Sequence, residues 1–280
     1  MDFKDELREA LVAAKSAGNY IRREYDAFVA IPDAKASITT HGDTGAQDII
    51  LKHLMAAFPG DGFCAEESTA LRSAVANPER IWVIDPIDGT RGFATKNGEF
   101  SVMIGLTVNN VPVLGVVLEP IQERMTYAVR GRGCFVCRDF KEDENGPLER
   151  CRVSACATLE SAVLTTSHMN PNKPPKPVVR KLRPGTVHQT FSAGVKLALV
   201  ARGEVDLYVN DYPEFHDWDI CAGHILVTEA GGTVTEFDGG EVQYGRVGAK
   251  RRGGMVATNG LLQAEVLKRL GGVVSDEPDA

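Results

Sequence analysis

Apolar residues return every three or four positions near the start of the chain. Phe3, Leu7, Leu11, Ala14, Ile21, Tyr25 and Phe28 fall on one face, which predicts a long amphipathic helix over residues 3 to 28. A second helix is predicted from Thr44, with Thr44 and Gln47 as its capping box and Ile50, Leu51, Leu54, Met55 and Phe58 as its apolar stripe, until Pro59-Gly60 stops it. The pattern then turns to β: Ile81 to Ile84, Ser101 to Val108, Val113 to Leu118 and Met125 to Val129, with Asn109-Asn110 suited to a hairpin turn. After the polar stretch KEDENGPLER at 141–150, strand and helix alternate. A strand (Ala162 to Thr165), the basic loop NKPPKPVVRKLRP, a helix (Thr190 to Ala201), a strand (Val205 to Val209), a helix (Asp219 to Ala230), a strand and a last helix are expected. The reading is an α/β protein: an α+β domain over 1–146, an α/β domain over 147–280, and a cleft between them.

Composition narrows the function. The chain has 280 residues, 43% of them hydrophobic, and a formal charge of −7, which disfavours a protein that binds nucleic acid by neutralising its phosphates. The N-terminus MDFKDELREALVAAK has no uninterrupted apolar stretch, so neither a secretory signal nor a membrane span is expected there, and the expected location is cytoplasmic. Six cysteines are too few for a disulfide scaffold of this size. Cys134-x-x-Cys137 with Cys151 and Cys156 has a loose zinc-ribbon spacing, but the run GRGCFVCRD reads better as a strand after a turn.

The segment Trp82-Val83-Ile84-Asp85-Pro86-Ile87-Asp88-Gly89-Thr90 ends an apolar strand in two carboxylates three residues apart, on a turn set by Pro and Gly. Two acids aimed at one point repel unless a cation sits between them, and oxygen ligands suit a hard ion such as Mg2+. Three further stretches supply acids: Asp43 beside a helix start, Glu66-Glu67 after Gly62-Phe63-Cys64-Ala65, and Trp218-Asp219 opening a helix that ends in Gly231-Gly232.

This set resembles the inositol monophosphatase superfamily of lithium-sensitive, magnesium-dependent phosphatases. Asp43, Glu66-Glu67, Asp85-Pro-Ile-Asp-Gly-Thr90, Trp218-Asp219 and Gly231-Gly232 stand in the superfamily's order over residues from about 40 to 232. The resemblance implies a layered αβαβα sandwich, with Glu66, Asp85, Asp88, Asp219 and the Ile87 carbonyl as metal ligands; Glu67 is read as a solvated neighbour, since one acid of that pair suffices as a direct ligand. It implies Asp43 and Thr90 as the catalytic pair that activates water, and Gly89 and Thr90 as backbone donors to the phosphate. It also implies a small phosphorylated metabolite as partner and a monomer or homodimer; the charge and the apolar pattern lead to the expectation of no nucleic-acid or membrane partner.

Within the superfamily the chain is most similar to the 3'(2'),5'-bisphosphate nucleotidases. Arg91-Gly92-Phe93, Lys96-Asn97-Gly98-Glu99-Phe100, Thr166-Ser167-His168, Ser192-Ala193-Gly194-Val195-Lys196, and the spacing of Tyr208-Val209, Pro213 and Trp218-Asp219 carry that likeness. Asn210 and Arg91 depart from it, where Arg and Lys are usual. The resemblance implies His168, Ser192 and Lys196 as substrate-binding residues, with Lys196 compensating a second phosphate. The expected reaction is hydrolysis of the 3'-phosphate of adenosine 3',5'-bisphosphate to AMP. Inositol-1-phosphate, histidinol phosphate and a sugar bisphosphate are the alternative substrates, and a non-catalytic phosphometabolite sensor is the alternative of another class.

Overall fold

The computed structural model of the chain describes residues 2–35, 38–68, 79–138, 148–212, 215–245 and 254–271. The long first helix, α1, spans Lys4–Ala27, and its tightest face is made of small residues, Ala10, Ala13, Ala14, Ala17 and Gly18, with Ile21. The larger residues of the predicted stripe, Phe3, Leu7, Leu11, Tyr25 and Phe28, are only partly buried along its edge. Helix α2 spans His41–Ala57 and starts earlier than the sequence suggested. Asp43, not Gln47, closes the capping box: its Oδ2 accepts from Thr40 N at 2.7 Å and Thr40 Oγ1 at 2.6 Å.

Seven strands follow as one sheet in chain order: β1 Gly62–Ala65, β2 Arg80–Asp88, β3 Ser101–Val108, β4 Val111–Glu119, β5 Arg124–Val129, β6 Gly133–Arg138 and β7 Leu148–Arg150. Only β1 and β2 run parallel. A short helix, α3 (Thr90–Ala94), leaves the end of β2. The Asn109-Asn110 turn is as predicted, with φ of 51° and 62° in the sense a two-residue hairpin loop requires, closing on the pair Val108 and Val111. Of the predicted domain boundary, residues 141–147 lie outside the described residues, as does Pro213. Residues Leu148–Arg150 add a last strand to the first sheet.

The second half comprises β8 Val163–Thr166, α4 Pro177–Leu182, β9 Thr186–Gln189, α5 Ala193–Ala201, β10 Leu207–Asn210, α6 Cys221–Glu229, β11 Thr233–Glu236, β12 Met255–Thr258 and α7 Gln263–Leu270. Its sheet has the order β11-β12-β10-β8-β9, parallel through β10, β8 and β9 and antiparallel elsewhere. The basic stretch expected to be a loop contains α4, because Pro177 suits a first helical position and Val178 and Leu182 are buried where α4 meets α7.

The layers are α1 and α2, the seven-stranded sheet, α5 and α6, the five-stranded sheet, then α4 and α7, which is the αβαβα order expected. Strands β2 to β4 are apolar almost throughout because both faces of their sheet are covered. Val83, Met103 and Val117 face the α5–α6 core, whereas Trp82, Ile84, Ile104 and Val116 face α1 and α2. Helix α6 lies close on β4 at Gly115, where an added Cβ would stand 2.3 Å from the Ala222 carbonyl oxygen. That contact fixes the turn before α6, which carries Asp219.

The cysteines form no zinc site. Cys134 and Cys137, three apart on β6, point to opposite faces, Cys134 into the core shared with Cys151 and Cys137 into the core under α1 and α2. No helix among the described residues is long and apolar enough to cross a membrane.

Candidate active site

The site forms where β2 ends. The pairing of β2 with β3 shifts by one residue between Asp85, opposite Met103, and Asp88, opposite Ser101, an irregularity at the strand end that lies between the two acids. Gly89 makes the turn into α3 with φ of 86°, and a Cβ there would lie 2.8 Å from the Glu99 carbonyl oxygen and 3.1 Å from Ser192 Cα, so glycine is required twice over.

Carboxylate oxygens of Asp85, Asp88 and Asp219 lie within 4.8 Å of one another. Glu66, in the turn after β1, lies beside Asp85. Burial first, and then the neighbouring Asp219 charge, raise the Glu66 carboxyl to about 8. Burial and the Glu66 charge hold Asp85 well above the usual carboxylate range, and burial raises Asp219 to about 7. Such a cluster is under strong self-repulsion when ionised. One oxygen, Asp85 Oδ1, is buried with no hydrogen-bond partner. An oxygen-only donor set with mutual repulsion and an orphaned buried oxygen fits a hard divalent cation.

Asp88 is held differently. Its Oδ1 accepts from Ala193 N at 3.1 Å, and its Oδ2 accepts from Gly194 N at 2.6 Å, Ser101 Oγ at 3.3 Å and Ser192 Oγ. Burial still raises its carboxyl, against these donors and the Lys196 charge. The start of α5 thus orients one acid of the cluster. Ser192 is also the N-cap of α5, its Oγ accepting from Val195 N at 2.9 Å.

Asp43 is 1% exposed, and burial raises its carboxyl. With Oδ2 spent on Thr40, its Oδ1 faces Thr90 Oγ1 at 3.1 Å, and the same hydroxyl lies 3.0 Å from the Ile87 carbonyl. The helix-capping and site-facing roles of Asp43 therefore coexist, one oxygen each.

The three substrate-binding candidates differ in setting. His168 has a side chain 40% exposed, its Nε2 lies 2.6 Å from Glu99 Oε2, and its ring stands 4.4 Å from that of Phe191. Lys196 is 1% exposed and donates to Ser167 Oγ at 2.9 Å and the Phe191 carbonyl at 3.0 Å. The Ser192 hydroxyl is buried and engaged with Asp88 and Val195.

Four supporting residues were missed in the sequence. Gln47, expected in a cap, bonds both ways to the Glu67 backbone (Nε2 to O at 2.7 Å, N to Oε1 at 2.8 Å) and so holds the turn that presents Glu66. Ser101, Glu99 and Phe191 join the site across more than ten residues of sequence each; Glu99 stands in the Lys96–Phe100 motif with no role assigned to it there, and no local pattern marks Ser101 or Phe191.

A two-sheet sandwich with a carboxylate cluster at a strand end, and a threonine paired to a further acid, fits a metal-dependent hydrolase, and similarity to known proteins makes it a metal-dependent phosphomonoesterase. Residues 4–274 match the inositol monophosphatase family. The histidinol-phosphatase of Mycobacterium tuberculosis is 34% identical over 273 residues, covering 95% of this chain and 98% of the relative. The 3'(2'),5'-bisphosphate nucleotidase CysQ of Buchnera aphidicola is 32% identical, covering 82% and 84%. The solved Thermotoga maritima IMPase superposes with a TM-score of 0.78 at 30% identity, covering 95% and 96%. This chain belongs to the inositol monophosphatase family.

Proposed function

We propose that the protein hydrolyses the 3'-phosphate of adenosine 3',5'-bisphosphate, with Mg2+ held by Glu66, Asp85, Asp88, Asp219 and the Ile87 carbonyl. When bound, divalent cations supply Lewis acidity that lowers the pKa of water and offsets charge on the phosphoryl and leaving oxygens. The chain's own part is positioning and proton transfer. Asp43, its carboxyl raised by burial, takes a proton through the Thr90 hydroxyl 3.1 Å away, and Gly89 and Thr90 turn backbone N–H groups to the phosphate. A protein that only sensed phosphometabolites would have no use for that pair.

The observation that carries the substrate choice is the half-exposed His168 ring, pinned by Glu99 and set against Phe191 4.4 Å away, an aromatic face suited to a planar base. The buried Lys196 ammonium adds positive potential beneath it. The second reading is histidinol phosphate, supported by the near full-length likeness to the Mycobacterium tuberculosis histidinol-phosphatase. Phosphate release from adenosine 3',5'-bisphosphate, histidinol phosphate, inositol-1-phosphate and fructose-1,6-bisphosphate at equal concentration with Mg2+ separates them. The proposal expects the highest kcat/KM for the nucleotide; a higher value for any other substrate replaces it.

A further inference from the structure

Arg91 follows Thr90 directly and is exposed. Its guanidinium carbon stands 5.3 Å from the centroid of the Phe191 ring, the same ring that His168 meets at 4.4 Å. The carboxylate in this cluster is already engaged: Glu99 Oε2 takes His168 Nε2 at 2.6 Å and the Phe191 N–H at 3.2 Å. Among the described residues no carboxylate pairs with Arg91. The result is a cation over the Phe191 ring, with no carboxylate partner among the described residues and open to solvent, one residue from the hydroxyl that faces Asp43.

Lys196 contrasts with it. Its ammonium is enclosed between Ser167 Oγ and the Phe191 carbonyl in a residue 1% exposed, so its charge reaches the site as a field and not as a contact. We infer that Arg91 is a specificity-determining residue whose guanidinium, held over Phe191, binds a second anionic group of the substrate while the first phosphate occupies the carboxylate site. The planar fork of an arginine matches a phosphate with two parallel hydrogen bonds, which an ammonium cannot do. The same charge disfavours a substrate whose distal group is cationic. The inference rests on the bisphosphate reading above and deepens it by assigning the residue that recognises the second phosphate.

The test measures kcat and KM for adenosine 3',5'-bisphosphate and adenosine 3'-monophosphate with saturating Mg2+, in the wild type, Arg91→Met and Arg91→Lys. Arg91→Met keeps an unbranched flexible side chain and removes the charge. It is expected to raise KM for the bisphosphate by about tenfold to a hundredfold, the effect of losing a hydrogen bond to a charged group, with a much smaller change for the monophosphate. Arg91→Lys, which keeps the charge without the fork, should recover part of the preference. Equal losses on both substrates, or an unchanged bisphosphate KM in Arg91→Met, would overturn the assignment of Arg91 alone. A wild type with no preference for the bisphosphate over the monophosphate would overturn the substrate reading, and the role of Arg91 with it.

Discussion

Ser192→Ala separates a serine that touches substrate from one that holds a carboxylate. The wild-type hydroxyl caps α5 through Val195 N at 2.9 Å and donates to Asp88, a buried acid. Losing the cap costs about 1 kcal/mol. Losing a hydrogen bond to a charged group costs about 1.5–3 kcal/mol. Asp88 keeps the Gly194 N–H at 2.6 Å, the Ala193 N–H at 3.1 Å and Ser101 Oγ at 3.3 Å, which places the second loss at the low end of its range. The sum is about 2–3 kcal/mol, read as a lower urea midpoint with an unchanged slope in EDTA. With Asp88 less firmly aimed, phosphate release should also need more Mg2+ for half-saturation, while the substrate KM at saturating Mg2+ moves little. Stability within about 0.5 kcal/mol of wild type together with a raised substrate KM would refute this reasoning and make the hydroxyl a substrate ligand.

Two further outcomes follow from the same geometry. Glu66 and Asp219 titrate near 8 and 7 in the folded chain, against ordinary values of 4.5 and 3.8, so the unfolded state is the better acid. The metal-free protein should therefore lose stability as pH rises from about 5 to 8, by a few kcal/mol, and Mg2+ should flatten that slope; Tm against pH with EDTA and with Mg2+ reads it, and a metal-free Tm that rises over this range contradicts it. Gly115→Ala would place a Cβ 2.3 Å from the Ala222 carbonyl oxygen and 2.5 Å from Ile225 Cγ2, forcing α6 outward. A loss of about 1–3 kcal/mol and a higher Mg2+ requirement are expected, whereas Gly60→Ala, with nothing within 4 Å, should change neither in the same unfolding and activity titrations.

Much of this arrangement was legible in the sequence because its informative parts are local. The run from Trp82 to Thr90 holds a strand, a turn and two acids within nine residues, so the pattern and the chemistry coincide. The strands β3 and β4 were legible as continuous apolar runs, since a sheet covered on both faces leaves no polar alternation to blur them. The start of α2 was misjudged because Gln47 has a tertiary partner, the Glu67 backbone, which no local rule reveals; its place in the capping box is taken by Asp43. For the same reason α4 was hidden in a basic, proline-rich stretch: only contact with α7 makes Val178 and Leu182 a buried face. The surroundings of His168 were equally out of reach, since Glu99, Phe191 and Arg91 meet there only after the two halves pack.

The central claim is that buried and half-buried acids from the turn after β1, the end of β2 and the turn before α6 work as one cation-dependent hydrolytic site. The most direct test is phosphate release from adenosine 3',5'-bisphosphate as Mg2+ is titrated into EDTA-treated wild type and Asp219→Asn. The account predicts a saturable rise from no activity in the wild type and none in Asp219→Asn at the same Mg2+ concentrations. Release that persists in EDTA, or an Asp219→Asn protein that matches the wild-type titration, would contradict it.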